Sequence, residues 1–406
     1  MKGDDDAPTR ALVAGAGLCL LYLFWPPSLE AQPAVEELRP FLVKYAHFSR
    51  ADFANLDRGR AVAKALDSTH PAELAVVGVV RLNVPSMFFL ERFRDIAAFK
   101  KSEEVLQIGK FQMPPRPVDI EALTLDSDDL DALRKCKPGN CGLRLPATMI
   151  ERFRTEVSWS SPDYAKRANE LFRQMLVEYV NEYVEKGDDV LVDYHDKKDP
   201  VRLADGFRSL LGASPYLSEY APELFHYLTE FPREKPQGVE EFIYWSKEKL
   251  SHRPVVTITH VTIYKVTRGN TNSIVIASKQ IYANHYFEGS LGLSVFVEAQ
   301  GALAPGAYLM YLNRSRVDLL HGIFSGLRRL LVKGRLLDKF PKYLEGIRDR
   351  VKVEYQTPKF GVLDWTNLTN AQFPILNSHP RGKTAPRVRA TEGRGASAGS
   401  QANVLA

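Results

Sequence analysis

Cysteine is scarce in this 406-residue chain, with only Cys19, Cys136 and Cys141. Neither their spacing nor that of the histidines matches a zinc finger, and no other nucleic-acid reader motif is present. There is no glycine-rich loop to cradle phosphate and no dinucleotide fingerprint, so nucleotide-driven chemistry has no support in the sequence. A serine nucleophile elbow and internal repeats are also lacking. The net charge is only +5, too mild to call for nucleic acid. The longest apolar run, Ala11 to Trp25, is short for a membrane span.

What remains is ordinary globular composition, 45% hydrophobic and 25% charged, enough for one large domain or two modest ones. Rings are plentiful, with 17 Tyr and 21 Phe to fill a core or wall a pocket. The run Ala11 to Trp25 has the length of a signal-peptide h-region. Lys2 and Arg10 precede it, although Asp4, Asp5 and Asp6 are unusual there; "PPSLEAQ" follows, with Ala31 as the expected last residue before cleavage. Residues 1–31 are thus expected to be a signal peptide, or a membrane anchor if never cleaved. The protein is then exported, periplasmic or secreted. Cys19 is no lipoprotein site, because Leu18 precedes it and the apolar run continues. Losing the leader leaves Cys136 and Cys141 in "CKPGNC", where Pro138-Gly139-Asn140 signals a turn. An even pair in an exported chain reads as a disulfide. It is expected to be a structural staple, since the spacing is neither C-x-x-C nor haem-attaching.

Along the chain, Gly59–Leu66, Glu73–Val84 and Glu103–Phe111 read as strands. Ser86–Lys101 reads as a helix capped by Ser86, with Phe89, Phe93, Ile96 and Phe99 at helical spacing. A mostly helical insertion is expected from about 112 to 250. Its helices are a long one starting at Ser161-Pro162-Asp163, then Val201–Leu211, Pro222–Glu230 and Val239–Leu250. Strands return at Arg253–Thr267, twice within Ser273–Ala299, and at Tyr308–Val317, an antiparallel meander. A helix from about Asp318 to Val351 follows, its stripe running Leu320, Phe324, Leu327, Leu331, Phe340, Leu344, Ile347 and Val351, with Gly334 as a point of interruption. The domain ends near 355 and a tail follows from 356; from about 379, where apolar residues are few, the tail is expected to be disordered.

The stretches "RAVAKAL", "ELAVVGVVRLN", "FLERFRDIAAFKK", "VTITHVTIYKV", "SIVIASKQIYAN", "LGLSVFVEA", "YLMYLNRSRV" and the final helix resemble, in order and pattern, the START-like helix-grip superfamily. The resemblance spans about half the chain and rests on topology. It implies an α+β fold in which a curved antiparallel sheet wraps a long C-terminal helix around an apolar cavity. It also implies binding of lipids, sterols or polyketides, with cyclisation in some members.

The candidate site lies where these strands would line such a cavity. Ser278, Gln280, Tyr282 and Asn284 fall at alternate positions, a polar ladder on one strand face if period two holds. His260 and Tyr264 share a face on the preceding strand, and Tyr308 or Tyr311 can join from the last. The ladder is either the lining of a pocket or the wet side of a half-buried sheet. Gly322 and Gly326 lie on one helix face, where another backbone or a ligand can approach closely. Arg328, Arg329, Lys333, Arg335, Lys339 and Lys342 give that helix a basic face. It is either a solvated surface or a draw to anionic lipid worth about 1 kcal/mol per residue. Candidate acid/base groups are His285, Glu288 and Tyr282, without a nucleophile beside them. Asp193, His195, Asp196 and Asp199 in "DYHDKKD" match no metal template, so no metal or other cofactor is expected. The function expected is binding of an apolar, lipid-like ligand, with a hydrolase or cyclase, or a non-enzymatic interaction protein of the envelope, as alternatives.

Overall fold

The computed structural model describes residues 35–68, 70–249, 253–268, 271–298, 307–320 and 325–357. The expected leader, the tail beyond 357 and Gly322 lie outside these. In chain order the elements are α1 (Val35–Ala46), α2 (Arg50–Asp57), β1 (Val62–Ala65), β2 (Glu73–Leu82), α3 (Ser86–Arg94), α4 (Ile96–Phe99), β3 (Val105–Lys110), α5 (Ser127–Leu133), α6 (Ala147–Glu156), α7 (Tyr164–Lys186), β4 (Asp193–Tyr194), β5 (Val201–Arg202), α8 (Leu203–Gly212), α9 (Pro215–Tyr220), α10 (Pro222–Glu230), β6 (Glu240–Lys249), β7 (Pro254–Arg268), β8 (Thr271–Ala283), β9 (Phe287–Glu298), β10 (Ala307–Val317) and α11 (Ser325–Gln356).

The protein is α+β, built on an open, curved sheet of eight strands in the order β1-β2-β10-β9-β8-β7-β6-β3. Every pairing within it is antiparallel. The meander β7–β10 forms as its alternation predicts. β2 closes against β10 with Gly78 opposite Tyr311, which brings the first and last thirds of the chain together.

Three expectations need correction. Val239–Leu250 is not a helix: β6 occupies Glu240–Lys249 and extends the sheet beyond β7. Phe242, Tyr244 and Ile243, Trp245 fill cores on opposite faces of the sheet, so the apolar residues run consecutively and do not alternate. Ser86 does not cap its helix; Pro85 holds that position, and the Ser86 hydroxyl donates instead to Glu298 Oε1 at 2.6 Å. Gly334 does not interrupt α11, which runs through it and through Pro341.

Both faces of the sheet are covered. On one, α7, α8 and α10, with α1 and α2, bury two large cores that include Phe172, Tyr179, Tyr282, Leu210 and Leu293. On the other, α3, α4 and α11 pack Phe89, Phe93, Leu344 and Ile347 against Val80, Val261, Ile276 and Phe296. The described part of the α11 stripe is as expected, with Phe340, Leu344, Ile347 and Val351 all buried. The helix is also tied by Glu345, which accepts from Ala61 N at 3.0 Å, and by Arg348, which donates to Gly59 O at 2.7 Å.

Gly78 sets how close α11 comes. A Cβ there would sit 2.5 Å from Leu344 Cδ1 and 2.8 Å from Phe340 Cε1, inside contact distance. Both side chains are fully buried and have little room to retreat. Gly78→Val is expected to destabilise the protein by about 1–3 kcal/mol through overpacking. Urea denaturation checks this; an unchanged midpoint would mean that α11 is not seated on β2.

Candidate functional site

Between the sheet and α11 lies a hollow of about 90 Å³. Its floor is polar strand surface: Thr257, Thr259, Ser278, Gln280, Ser294 and Asn313. Its walls are rings and aliphatics, among them Phe89, Phe93, Phe99, Tyr343, Leu344 and Ile347. Gly292 also lines it; a Cβ there would meet Tyr311 Oη at 3.3 Å and Ser278 Cβ at 3.6 Å, so the glycine keeps the floor open.

The two ends of the floor are internally satisfied. At one, Ser290 Oγ lies 2.8 Å from Ser315 Oγ, Ser315 donates to Asn313 Oδ1 at 2.7 Å, and Asn313 Nδ2 donates to Ser290 at 3.3 Å. At the other, Lys100 Nζ and Ser246 Oγ both donate to Glu248 Oε1 at 2.6 Å. Burial works against the Lys100 charge, but the Glu248 carboxylate prevails and holds its pKa above the usual lysine value. Between these ends Gln280 is buried, and its Oε1 has no hydrogen-bond partner among the described residues.

The hollow divides the expected ladder. Ser278, Gln280 and Tyr311 line it; Tyr282, Asn284, His260, Tyr264 and Tyr308 do not. The cause is a β-bulge. Thr259 pairs with Gln280 and Ile258 with Tyr282, so Ile281 is an extra residue on β8. Past the bulge the faces exchange, and Tyr282 packs against Phe172, Tyr179 and Tyr194 on the opposite side. Two buried tyrosines satisfy backbone groups at the bulge: Tyr179 Oη donates to Ile281 O at 2.6 Å, and Ala283 N donates to Tyr194 Oη at 2.9 Å. His260 is one position off the hollow-lining Thr259 and faces α7. Tyr264 is half-buried and donates to Glu223 on the same outer side. Tyr308 joins the core beneath α1 and α9.

Asn284 is a backbone clamp. Its Oδ1 accepts from Val256 N at 2.7 Å and its Nδ2 donates to Asp129 Oδ2 at 3.2 Å. The acid/base candidates are spent separately. His285 pairs with Asp129 at 2.9 Å, Glu288 faces Arg144 at 3.6 Å and Arg316 at 3.7 Å, and Tyr282 Oη lies 3.3 Å from Arg144 O. None lines the hollow.

The other candidates separate as well. Cys136 and Cys141 form a disulfide. The loop it closes is stitched to the "DYHDKKD" segment through Gly139 N to His195 O at 2.7 Å and Cys141 N to Asp196 O at 3.0 Å. Asp193 faces Arg202 at 3.6 Å, and Asp196 is buried. Among the described residues no group of three or more His, Cys, Asp or Glu is placed to hold a metal ion. On α11, Arg335, Lys339 and Lys342 are exposed and Lys333 is half-buried, while Gly326, Arg328 and Arg329 lie on its first turns. Among the described residues no helix is long and apolar enough to cross a membrane.

The sequence reading missed Lys279. Fully buried opposite the hollow, it pairs with Asp188 and stacks 3.9 Å from the Phe207 ring centroid. Nearby, His260 Nδ1 lies 3.0 Å from Tyr183 Oη, and burial lowers the His260 pKa against the pull of Glu241. No protein-family model, curated protein or solved structure matches the chain.

Burial pulls the Lys279 ammonium down to about 8, with Asp188 opposing, from an ordinary 10.5. Below about 8 both folded and unfolded chains hold the proton, and the full cost of burying the charge is present. Between about 8 and 10.5 the unfolded chain keeps a proton the folded chain has released, so this group makes stability rise with pH. The slope approaches about 1.4 kcal/mol per pH unit. Lys279→Met is expected to remove that rise relative to wild type. Denaturation profiles of the two that run parallel across this window would show that Lys279 is not the source.

Proposed function

We propose that this is an exported protein that binds an apolar, lipid-like ligand between the sheet and α11. The observation that carries this reading is the hollow itself, a polar strand floor facing an aromatic and aliphatic wall. That is the usual construction of a small-molecule site: apolar walls for affinity and a few placed polar groups for orientation. At about 90 Å³ the hollow is well below the roughly 300 Å³ of an ordinary ligand site. Binding therefore requires α11, or the rings of α3 and α4, to draw back.

Three features support the reading. The resemblance to the START-like superfamily places a ligand between a bent sheet and its C-terminal helix, where the hollow lies. The apolar run Ala11 to Trp25 and the Cys136–Cys141 disulfide suit an oxidising compartment outside the cytoplasm. Arg335, Lys339 and Lys342 present charge on the solvent side of the same helix, which suits contact with an anionic membrane during loading or delivery. The hydrolase or cyclase alternative loses its residues, because His285, Glu288 and Tyr282 are committed elsewhere.

The test is native mass spectrometry with solvent extraction on protein purified from an exporting host. A co-purifying lipid-like molecule in near-stoichiometric amount is expected. Gly292→Phe, which places a ring on the floor, should abolish it while leaving the fold intact by circular dichroism. A clean apo mass that stays apo after exposure to a mixed lipid extract would sink the carrier reading and favour an interaction protein.

A further inference from the structure

The charge and hydrogen-bond inventory of the hollow restricts what it can hold. We infer that its ligand is uncharged and bears a hydrogen-bond donor, an aliphatic alcohol in preference to a carboxylic acid or an ester. This rests on the binding reading above and adds the chemistry of the polar end.

Charge excludes the acid. Among the described residues the hollow has one lining cation, Lys100, which is bound to Glu248 at 2.6 Å. Glu248 is buried and Lys100 half-buried, with side chains 4% and 16% exposed. An anionic headgroup would place a second negative charge beside Glu248 with no further cation among the described lining residues to answer it. Burying an unpaired charge is far costlier than burying a neutral polar group. A cationic headgroup meets the mirror problem, because Glu248 is already neutralised. The basic residues of α11 do not help: Lys339, Lys342 and Arg335 lie on its exposed side and are not part of the lining.

Hydrogen bonding favours the alcohol over the ester. The ends of the floor are closed by internal pairs, Ser290 with Ser315 and Asn313, and Ser246 with Glu248. Among the described residues, the fully buried lining atom without a partner is Gln280 Oε1, an acceptor on the middle of the floor. A buried acceptor without a donor is an energetic deficit that a ligand hydroxyl repairs and an ester oxygen does not. Phe89, Phe93, Phe99 and Ile347 then receive the aliphatic chain.

The experiment compares dodecanol, methyl dodecanoate and dodecanoate, which share a chain length and differ at the polar end. Each is titrated into the full-length protein at pH 8, below its aggregation threshold, and read by competition native mass spectrometry. Dodecanol is expected to bind about tenfold tighter than the ester, the value of roughly one net hydrogen bond, and dodecanoate more weakly than either. Gln280→Leu should bring alcohol and ester to within about twofold by removing that bond. If this variant does not fold, the wild-type ranking still decides. Dodecanoate binding as tightly as dodecanol, or ester matching alcohol on the wild type, overturns the inference while leaving a lipid-like site in place. Failure of all three to bind overturns the binding reading and this inference with it.

Discussion

Burial of both faces of the sheet is the constraint on which the other features depend. A half-wet antiparallel sheet can point every second side chain at water. This one has helices on both sides, so a polar residue on a central strand must find a partner inside the protein. Lys279 finds Asp188, His260 finds Tyr183 and Asn313 finds Ser315, while the clamp of Asn284 ties β7 to α5 through Asp129. The ladder of Ser278 and Gln280 is therefore not a solvated face, and it is also not continuous with Tyr282. It is a buried polar strip that α11 roofs without supplying hydrogen bonds in return to Gln280 Oε1.

The bulge at Ile281 decides what that strip contains. With strict alternation, the next ring along β8 would fall on the α11 side and occupy the space at the end of the floor. The extra residue sends Tyr282 into the opposite core, where three other rings surround it. Two glycines act in the same direction on neighbouring strands. Gly292 withholds a side chain from the floor, and Gly78 lets α11 settle so that Leu344 and Ile347 close the roof. Space and polarity at one place thus come from three local departures from regular strand sequence.

Much of the fold was legible because its signals are local. The meander reads from alternation between 253 and 317, and the buried stripe Phe340, Leu344, Ile347, Val351 reads from helical period. β6 was not legible. "EEFIYWSKEK" has apolar residues side by side, framed by Glu and Lys, and a strand covered on both faces loses the alternation that identifies it. The site was half legible for the same reason. Ser278 and Gln280 follow from period two up to Ile281, and one inserted residue inverts everything after it. Partners were illegible throughout: Asp129 with His285, Asp188 with Lys279 and Glu248 with Lys100 are each about a hundred residues or more apart. No pattern within a short window announces such a pair.

The two layers over the sheet are anchored differently, and this bears on which can yield. On the outer layer, Tyr179 and Tyr194 bond directly to the β8 backbone, and Lys279 with Asp188 and Asn284 with Asp129 add buried polar ties. Breaking a buried ion pair leaves an uncompensated charge and costs several kcal/mol, so displacing the insertion helices from the sheet is strongly opposed. On the inner layer, among the described residues, α11 has two hydrogen bonds to the approach of β1 and a half-exposed ion pair of Glu354 with Arg92 at 3.5 Å, and the rest of its contact is mainly apolar. Apolar contact is non-directional, and a ligand chain of similar character can replace it. A molecule that inserts between sheet and helix would trade helix–sheet burial for helix–ligand and sheet–ligand burial, and the ion pair at the edge of the hollow, Lys100 with Glu248, joins the end of α4 to β6 and is not broken when α11 moves. The polar strip is thus placed beneath the layer whose withdrawal costs least.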